Sequence, residues 1–351
     1  MPLTSLTLTS LIQTDALGFD AIIDVRSPAE FAEDHIPGAI NLPVLDNDER
    51  ARVGTIYKQQ SPFLARKIGG ALVAKNAARH LEGPLADLTG GWRPLIYCWR
   101  GGQRSGSFAT ILSQVGWRVE LLQGGYKTWR ALVVTQLADL PVASPVTVLD
   151  GNTGTAKTDI LARLAQRGVQ IIDLEGLANH RGSLFGHRSG GQPSQKWFEG
   201  RLAVALAALD PTRPVLIEAE SSRIGNLSLP KQLWAAMCAA PRICITAPLG
   251  ARARYLARAY ADLTDDRDRL AAVIDSLRPL HPAERIADWL TKVQSGEFEA
   301  LAAGLMESHY DFRYEKHRAR FAGPNDRELH AETLDQTALD HLADQIAAGL
   351  S

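Results

Sequence analysis

The stretch PLIYCWRGGQRS, residues 94–105, predicts the fold of the first half of the chain. Residues 94–97 have the composition of a short buried strand, and a helical pattern begins near Ser107. Between them lies a glycine-rich loop headed by Cys98. The backbone N–H groups of such a loop, at a helix N-terminus, form a cradle for an anion, and its positive field would favour an anionic sulfur. The alternative is an inert buried cysteine, but glycines and arginines rarely surround one.

This loop supplies the first set of candidate site residues. We predict that three of them take part in the chemistry: Cys98, Arg100 and Arg104. The rest of the loop is predicted to bind the anion: Trp99, Gly101, Gly102 and Gln103.

Length and composition limit the possible classes of protein. A chain of 351 residues predicts two domains, and a net charge of −1 gives no general attraction to nucleic acid or membrane. The three cysteines form neither a disulfide framework nor a Cys-x-x-Cys pair, which is typical of a reducing cytosol. Residues 1–15 lack the basic region of a secretory signal, and no apolar run is long enough to span a membrane. We therefore expect a cytoplasmic protein, not attached to a membrane and monomeric.

Strand and helix patterns alternate along residues 19–137. Phe19–Val25 reads as a buried strand, and Ser27-Pro28-Ala29-Glu30 is a strong helix start. This alternation predicts an α/β domain with a mostly parallel sheet, whose Cys98 loop lies at the carboxyl end of a strand, where such sheets bind ligands. Residues 46–88 are long for a loop and read as partly helical.

The second half opens with a strand, Val146–Leu149, followed by DGNTGTAKT, residues 150–158, and a helix. This order is typical of a P-loop, in which backbone N–H groups surround a phosphate chain, Lys157 contacts it and Thr158 can hold Mg²⁺. Ala156 replaces the second consensus glycine, and we expect it to adopt helical dihedrals with its methyl group close to the phosphate. A glycine-rich turn that binds nothing is the alternative. The predicted diphosphate-binding residues are Gly151, Asn152, Thr153, Gly154, Thr155, Ala156, Lys157 and Thr158.

Polar residues at other strand ends complete this half. Asp173, Glu218 and Glu220 follow predicted strands and could hold Mg²⁺, while Arg223 could meet a phosphate. Two further segments, 180–188 and 309–320, are rich in cations, and the second also in aromatics. They could bind RNA, or be a solvated loop and a core aromatic stripe. The RNA-binding candidates are His180, Arg181, Arg188, Arg313 and Lys316. The tail after Glu328 reads as a single amphipathic helix.

The first half resembles the rhodanese domain. The resemblance rests on IDVRSPAEFAEDHIPGAINLP (23–43), the Cys98 loop and LLQGGYKTWR (121–130), and it covers most of residues 15–138. The resemblance implies that the loop cysteine carries sulfur or selenium, as a persulfide or its selenium analogue. The loop is one residue longer than the common rhodanese form, and its Cys-x5-Arg spacing is shared with cysteine-dependent phosphatases. No aspartate can be assigned as the general acid that a phosphatase needs, so we favour a loop that admits a larger oxyanion.

The whole chain to about Tyr314 resembles the bacterial tRNA 2-selenouridine synthase family. The second half carries DLEGLANHRGSLFG (173–186), QPSQKWFE (192–199) and IEAESSRIGNLSLP (217–230). The resemblance implies a partner, tRNA with 2-thiouridine at the wobble position, whose sulfur is first alkylated by geranyl diphosphate. Selenophosphate, from a selenophosphate-supplying enzyme, would then replace the geranyl thiol. Both are co-substrates, so no permanently bound cofactor is expected.

The predicted architecture is therefore α/β throughout. A rhodanese-like parallel-sheet domain (1–138) and a linker (139–145) precede a P-loop NTPase-like α/β domain with a helical C-terminal extension (146–351). Two other readings stay open. One is a rhodanese-type sulfurtransferase fused to an ATP-dependent RNA kinase-like domain. The other is a tRNA-binding regulator in which Cys98 is a redox sensor.

Overall fold

The computed structural model describes residues 3–11, 17–321 and 323–350, so residues 1–2 and 12–16 of the opening stretch lie outside the described residues. The chain forms two compact units. The first comprises Met1–Leu140 with Ser194–Ala208, and the second comprises Pro141–Pro193 with Leu209–Ser351. The predicted division at 139–145 assigns segment 194–208 to the second domain, whereas its contacts group it with the first unit.

The secondary structure alternates between strands and helices until residue 246 and is mainly helical afterwards. The strands are β1 Thr4–Leu6, β2 Ala21–Asp24, β3 Ile40–Asn41, β4 Pro94–Tyr97, β5 Glu120–Leu122, β6 Val146–Gly151, β7 Gln170–Ile172, β8 Val215–Glu218, β9 Arg223–Ile224, β10 Leu227–Ser228, β11 Arg242–Thr246 and β12 Arg327–His330. The helices are α1 Pro28–Glu33, α2 Asn47–Gln59, α3 Pro62–Glu82, α4 Gln103–Val115, α5 Gly125–Ala138, α6 Lys157–Gln166, α7 Leu174–Ala178, α8 Gln195–Ala207, α9 Lys231–Ala239, α10 Leu249–Ala259, α11 Ala261–Thr264, α12 Arg267–Asp275, α13 Ala283–Ser295, α14 Phe298–Leu305, α15 Asp311–Arg318 and α16 Gln336–Ala348. A π-helical turn, Met306–Tyr310, joins α14 to α15.

The first unit is built on a parallel sheet with the strand order β1–β5–β4–β2–β3. All four residues of the central strand β4 are buried, as expected for a strand covered on both faces. Its neighbours are β2 and β5, so the loop that follows β4 opens at the carboxyl edge of the sheet. The predicted parallel α/β fold of this half is confirmed.

Residues 46–88, predicted to be partly helical, contain two full helices. Asp46 caps α2 by accepting a hydrogen bond from the Glu49 amide at 2.7 Å, and Ser61 followed by Pro62 begins α3. Helix α2 packs on α3, and α3 packs on α4. Residues 46–88, called the insertion below, therefore lie next to α4, the helix that begins at the Cys98 loop.

Helix α8 packs on α5 within the first unit, although 53 residues of the second unit, Pro141–Pro193, separate the two parts of the first unit in the sequence. Trp197 stacks on His35, with ring centroids 4.0 Å apart. Gly200 permits close approach, since a Cβ atom there would lie 2.5 Å from the Trp129 ring. Arg130 of α5 also forms an ion pair with Glu199. Helix α8 is thus part of the first unit's packing.

The second unit contains a parallel sheet with the order β12–β11–β6–β8–β7 and a short antiparallel ribbon, β9–β10. The central strand β6 leads into the predicted P-loop. The prediction of a single helix after Glu328 is wrong in its first part, because Arg327–His330 pairs in parallel with β11 before α16 begins. The residues of this strand are mostly exposed and do not alternate between apolar and polar, so the sequence pattern does not predict a strand here.

The helical C-terminal extension is confirmed and has an apolar core of its own. That core includes Leu263, Ile274, Ile286, Trp289 and Leu301. Within the described ranges, no helix is both long and apolar enough to cross a membrane.

Candidate active sites

Cys98 lies directly after β4, at the carboxyl edge of the first sheet. The residue is 3% exposed, and the Ser105 hydroxyl donates a hydrogen bond to its Sγ at 3.3 Å. Gly101 and Gly102 have φ of +77° and +73°, and Gly102 is the N-cap of α4. The left-handed pair turns the chain sharply into the helix, because glycine adopts this conformation without steric cost. Ser105 was absent from the predicted site residues, although it belongs to the quoted loop.

A second glycine pair holds the Cys98 loop in position. The amides of Tyr126 and Lys127 donate hydrogen bonds to the carbonyls of Cys98 and Trp99 at 2.9 and 3.1 Å. The preceding Gly125 has a φ of +61°, and a Cβ atom there would lie 2.2 Å from the Cys98 carbonyl oxygen. Only glycine fits at this point, so the motif at 124–125 is part of the Cys98 site.

The two predicted catalytic arginines have different surroundings. Arg104 donates to both oxygens of Glu30, at 2.7 and 3.3 Å, and is therefore neutralised. Although burial raises the pKa of Glu30, its hydrogen bonds and ion pair with Arg104 lower it, and the net shift is downward. Arg100 is exposed. Of the two, Arg100 is the better placed to meet an incoming anion, while Arg104 fixes the loop against α1.

A cavity of about 700 Å³ opens beside Cys98, between the loop and the two helices of the insertion. Its lining combines apolar side chains with cations. Arg50, Lys58 and Arg66 come from the insertion and were not predicted, since nothing in their local sequence connects them with Cys98. The lining residues are Leu45, Arg50, Val53, Gly54, Tyr57, Lys58, Ala65, Arg66, Gly69, Gly70, Val73, Cys98, Trp99, Arg100, Gly101, Gln103, Arg104 and Ser107.

The P-loop follows β6 as predicted, but the backbone of Ala156 differs from expectation. Ala156 has φ 59° and ψ 29°, the left-handed conformation, and not the helical dihedrals predicted from its sequence. This conformation costs an L-residue about 1–2 kcal/mol, and it persists here because the residue is 4% exposed and packed in the core of the unit. Lys157 donates from Nζ to the Gly151 carbonyl at 3.0 Å.

A second cavity, of about 270 Å³, opens over this loop. Residues 153–158 form one wall, and Arg181, Arg188 and Tyr314 contribute from other segments. Gly151 and Asn152 are outside the lining: the first ends β6, and the second accepts a hydrogen bond from Arg318 at 2.6 Å. The cations Lys157, Arg181 and Arg188 make this cavity suitable for a chain of phosphates.

The carboxylates of this region do not act as one metal cluster. Asp173 caps α7 by accepting from the Gly176 amide, and Glu218 accepts from the Glu175 amide at 2.6 Å. Glu175, which was not among the predicted site residues, accepts a hydrogen bond from Thr158 at 3.2 Å. Across the described residues, no group of three or more side chains has a geometry suitable for a metal ion. Arg223 is exposed on β9 and does not line the cavity.

Burial raises the pKa of three of the carboxyl groups in this region. Burial raises the pKa of Glu175, against the lowering effect of Lys157. Burial, together with Glu175, raises the pKa of Glu218 well above its ordinary value. Burial and the charge of Glu175 raise the pKa of Glu220 to about 8. Glu220 therefore holds a proton at neutral pH.

The five RNA-binding candidates are dispersed. His180 is 3% exposed and accepts from the Gly182 amide at 3.1 Å, so it has no surface for RNA. Arg181 is paired with Asp262 at 2.7 Å, and Arg188 lies 3.7 Å from Glu175, both at the P-loop cavity. Arg313 and Lys316 are exposed on α15. His309 and Tyr310 are buried, as the core aromatic stripe considered for segment 309–320 requires, while RNA binding by this segment stays a prediction.

Helix α15 is fastened to the P-loop by ion pairs. Arg252 donates to both oxygens of Asp311, at 2.9 and 2.8 Å, and to the carbonyl of Thr153 at 3.2 Å. Arg318 lies 3.4 Å from Asp150, which also pairs with Arg242 at 2.7 Å. No local sequence pattern indicates these contacts, because their partners are 59 to 168 residues apart.

Comparison with known proteins accounts for both halves of the chain. Residues 7–132 match the family described as Rhodanese-like domain, and residues 144–273 match tRNA 2-selenouridine synthase AAA domain. The tRNA 2-selenouridine synthase of Aeromonas salmonicida (strain A449) is 38% identical over 261 residues, which are 74% of this chain and 69% of that protein. The chain belongs to the tRNA 2-selenouridine synthase family.

Two further relatives extend this comparison. The tRNA 2-selenouridine synthase of Shewanella denitrificans is 33% identical over 325 residues, which cover 90% of this chain and 84% of that protein. A crystal structure titled N-terminal domain of putative ATP/GTP binding protein from Clostridium difficile 630 is 38% identical and covers 37% of this chain and 99% of that one, with a TM-score of 0.32. The two family matches and the sequence relatives show that this chain is an enzyme of the tRNA 2-selenouridine synthase family.

Replacing Gly125 by alanine should disrupt the Cys98 loop. The new Cβ atom would overlap the Cys98 carbonyl oxygen, and the left-handed backbone would add strain, so we expect the free energy of unfolding to fall by about 2 kcal/mol or more. Urea unfolding monitored by tryptophan fluorescence measures this change. The control is Gly106→Ala in α4, where a Cβ atom meets nothing within 4 Å. Equal stability of the two variants would contradict the assigned role of Gly125.

Replacing Glu220 by glutamine should reduce the pH dependence of stability. With a folded-state pKa of about 8 against an ordinary 4.5, the folded protein binds more protons than the unfolded chain between these values. The free energy of unfolding should therefore decrease as pH rises through this window, and less steeply in Glu220→Gln. Urea titrations at pH 5, 6.5 and 8 test this, with the exposed Glu299→Gln as control. A slope identical to that of the unsubstituted protein would refute the assignment.

Proposed function

We propose that this enzyme converts 2-thiouridine at the tRNA wobble position into 2-selenouridine in two steps, each at a different loop. The P-loop binds geranyl diphosphate for alkylation of the sulfur, and the Cys98 loop binds selenophosphate for its replacement by selenium. The observation that carries the proposal is that one chain of this family contains two strand–glycine loop–helix sites, each opening on a cavity lined with cations. The chemistry requires two different anions, and each loop can hold one.

In the first step, the thiocarbonyl sulfur of the uridine attacks C1 of geranyl diphosphate. A C–S bond forms, the C1–O bond breaks, and diphosphate leaves with the electron pair, while the N3 proton of the base is released. Negative charge grows on the departing diphosphate. Lys157, with the amides of the P-loop, is suited to stabilise this charge, and Arg181 and Arg188 line the same cavity.

In the second step, selenium of selenophosphate attacks C2 of the base, and the C2–S bond breaks. The geranyl thiolate departs with the electron pair and takes up a proton, and water then cleaves the P–Se bond to give phosphate and the selenocarbonyl. The cavity beside Cys98 suits this step, because exposed cations such as Arg100 and Lys58 can hold selenophosphate. Its apolar wall, which includes Val53 and Tyr57, can accept the geranyl group.

The residues at the P-loop fit a Mg²⁺ ion held largely by its substrate. Such an ion usually keeps only one or two protein ligands and binds substrate phosphates and water. The Thr158 hydroxyl and the Glu175 carboxylate are adjacent, 3.2 Å apart, and would be those ligands. The ion would supply positive charge to the leaving diphosphate. The enzyme would act in the cytoplasm, with no permanently bound cofactor and selenophosphate made by another enzyme.

Lys157→Ala and Cys98→Ala should block different steps. Because Lys157 contacts the leaving diphosphate, Lys157→Ala should lower geranyl transfer about a hundredfold or more, yet it should still selenate a tRNA that is already S-geranylated. Cys98→Ala should transfer the geranyl group normally but fail on the S-geranylated tRNA. Mass spectrometry of nucleosides, after incubation with geranyl diphosphate or selenophosphate, measures each product.

The matched controls are Lys292→Ala, a surface lysine on α13, and Cys238→Ala on α9, both of which should behave like the unsubstituted enzyme. Failure of Lys157→Ala on the S-geranylated tRNA would show that the P-loop also serves selenation or holds the RNA. Normal selenation by Cys98→Ala would remove Cys98 from the reaction.

A further inference from the structure

A third cavity, almost entirely apolar, lies next to the P-loop in the second unit. It encloses about 70 Å³ and is walled by α10, α12, α14 and the π-helical turn. Its lining is Thr153, Ser183, Phe185, Leu256, Ala257, Tyr260, Leu263, Thr264, Leu270, Phe298, Leu301, Ala302, Leu305, Met306 and Tyr310. A cavity with such walls is unsuited to water, which needs two to four polar partners, and is suited to a hydrocarbon.

This apolar cavity and the P-loop cavity share part of their walls. Thr153, Ser183, Leu256 and Tyr260 line both of them. A molecule with a phosphate chain at one end and a hydrocarbon at the other could therefore occupy both at once. No nucleotide has that construction, because its sugar and base need polar partners that the apolar cavity does not offer.

We infer that the apolar cavity binds the prenyl chain of the diphosphate substrate and sets its length. The inference rests on the proposed function, since it assigns the other end of the molecule whose diphosphate binds at Lys157. It places the reacting carbon, C1, at the shared wall, next to Thr153 and Tyr260. There the thiocarbonyl sulfur would reach it from the polar side.

The size of the cavity limits the length of the chain. By the rule that one water needs about 10–15 Å³ of such space, 70 Å³ corresponds to about five to seven waters. That volume is of the order of one to two isoprene units, and two of the lining residues, Leu270 and Leu301, are themselves buried in the unit. A fifteen-carbon farnesyl chain would have to displace the core of the helical extension.

Substitution of Ala302 tests the inference. Ala302→Leu places three extra carbons in the cavity, so kcat/KM for geranyl diphosphate should fall about tenfold or more, while that for the five-carbon dimethylallyl diphosphate should hardly change. Inhibition by inorganic pyrophosphate should stay the same, because the P-loop is untouched. The control is Ala300→Leu, an exposed position of the same helix that does not line the cavity. The substrate in each assay is a thiolated tRNA anticodon stem-loop, and the product is measured by mass spectrometry.

A second variant, which enlarges the cavity, tests the inference if Ala302→Leu fails to fold. Phe298→Ala removes a ring from the wall, and kcat/KM for farnesyl diphosphate relative to geranyl diphosphate should rise about tenfold. Unchanged chain-length preference in both variants would overturn the inference, as would an equal loss with all three diphosphates. If the unsubstituted enzyme transfers no prenyl group to tRNA from any of the three diphosphates, the proposed function itself fails. That result is distinct from a failure of the inference about chain length.

Discussion

The hydrogen bonds from the amides of Tyr126 and Lys127 to the carbonyls of Cys98 and Trp99 hold the first site together. A loop that must direct its N–H groups inward leaves its carbonyls without helical or sheet partners, and an unpaired buried carbonyl is costly. The start of α5 supplies those partners, and the left-handed Gly125 lets the two backbones approach without a clash. The cradle that can bind an anion therefore depends on a segment 27 residues further along the chain, as counted from Cys98 to Gly125.

The P-loop backbone is also held in position, but by core packing and by charged side chains. Its second consensus glycine is replaced by Ala156, whose backbone is in the strained left-handed conformation. Burial of the Ala156 methyl group in the core offsets that strain. Charged side chains connect the loop to α15. Arg252 donates to Asp311 of α15 and to the Thr153 carbonyl, and Arg318 of α15 donates to Asn152. Helix α15 thus becomes part of the phosphate site. The pKa of Glu220 is raised in the same region, because burial and the charge of Glu175 raise it more than Lys157 lowers it.

The α/β class, both glycine loops and the helical extension could be predicted, because strands, loops and helices are short-range patterns with known periodicity. The cavity beside Cys98 could not, since its walls combine Leu45, Arg66 and Ser107 through tertiary packing. The dihedrals of Ala156 were mispredicted because local preference was overruled by burial. The composition of the basic loop at 180–188 indicates phosphate or RNA binding, whereas the structure buries His180 and pairs Arg181 with Asp262. Which residues carry the reaction stays a prediction.

The position of helix α8 has a consequence for how the protein is made and dissected. During synthesis, the ribosome must translate the P-loop before the residues of α8 that complete the first unit. A fragment that ends at Leu140 would leave Trp129 without Gly200 against it and Arg130 without Glu199. A fragment that begins at Pro141 would carry α8 without its packing partners. The two halves are therefore interleaved in the gene, and neither can be expressed intact by cutting the reading frame once.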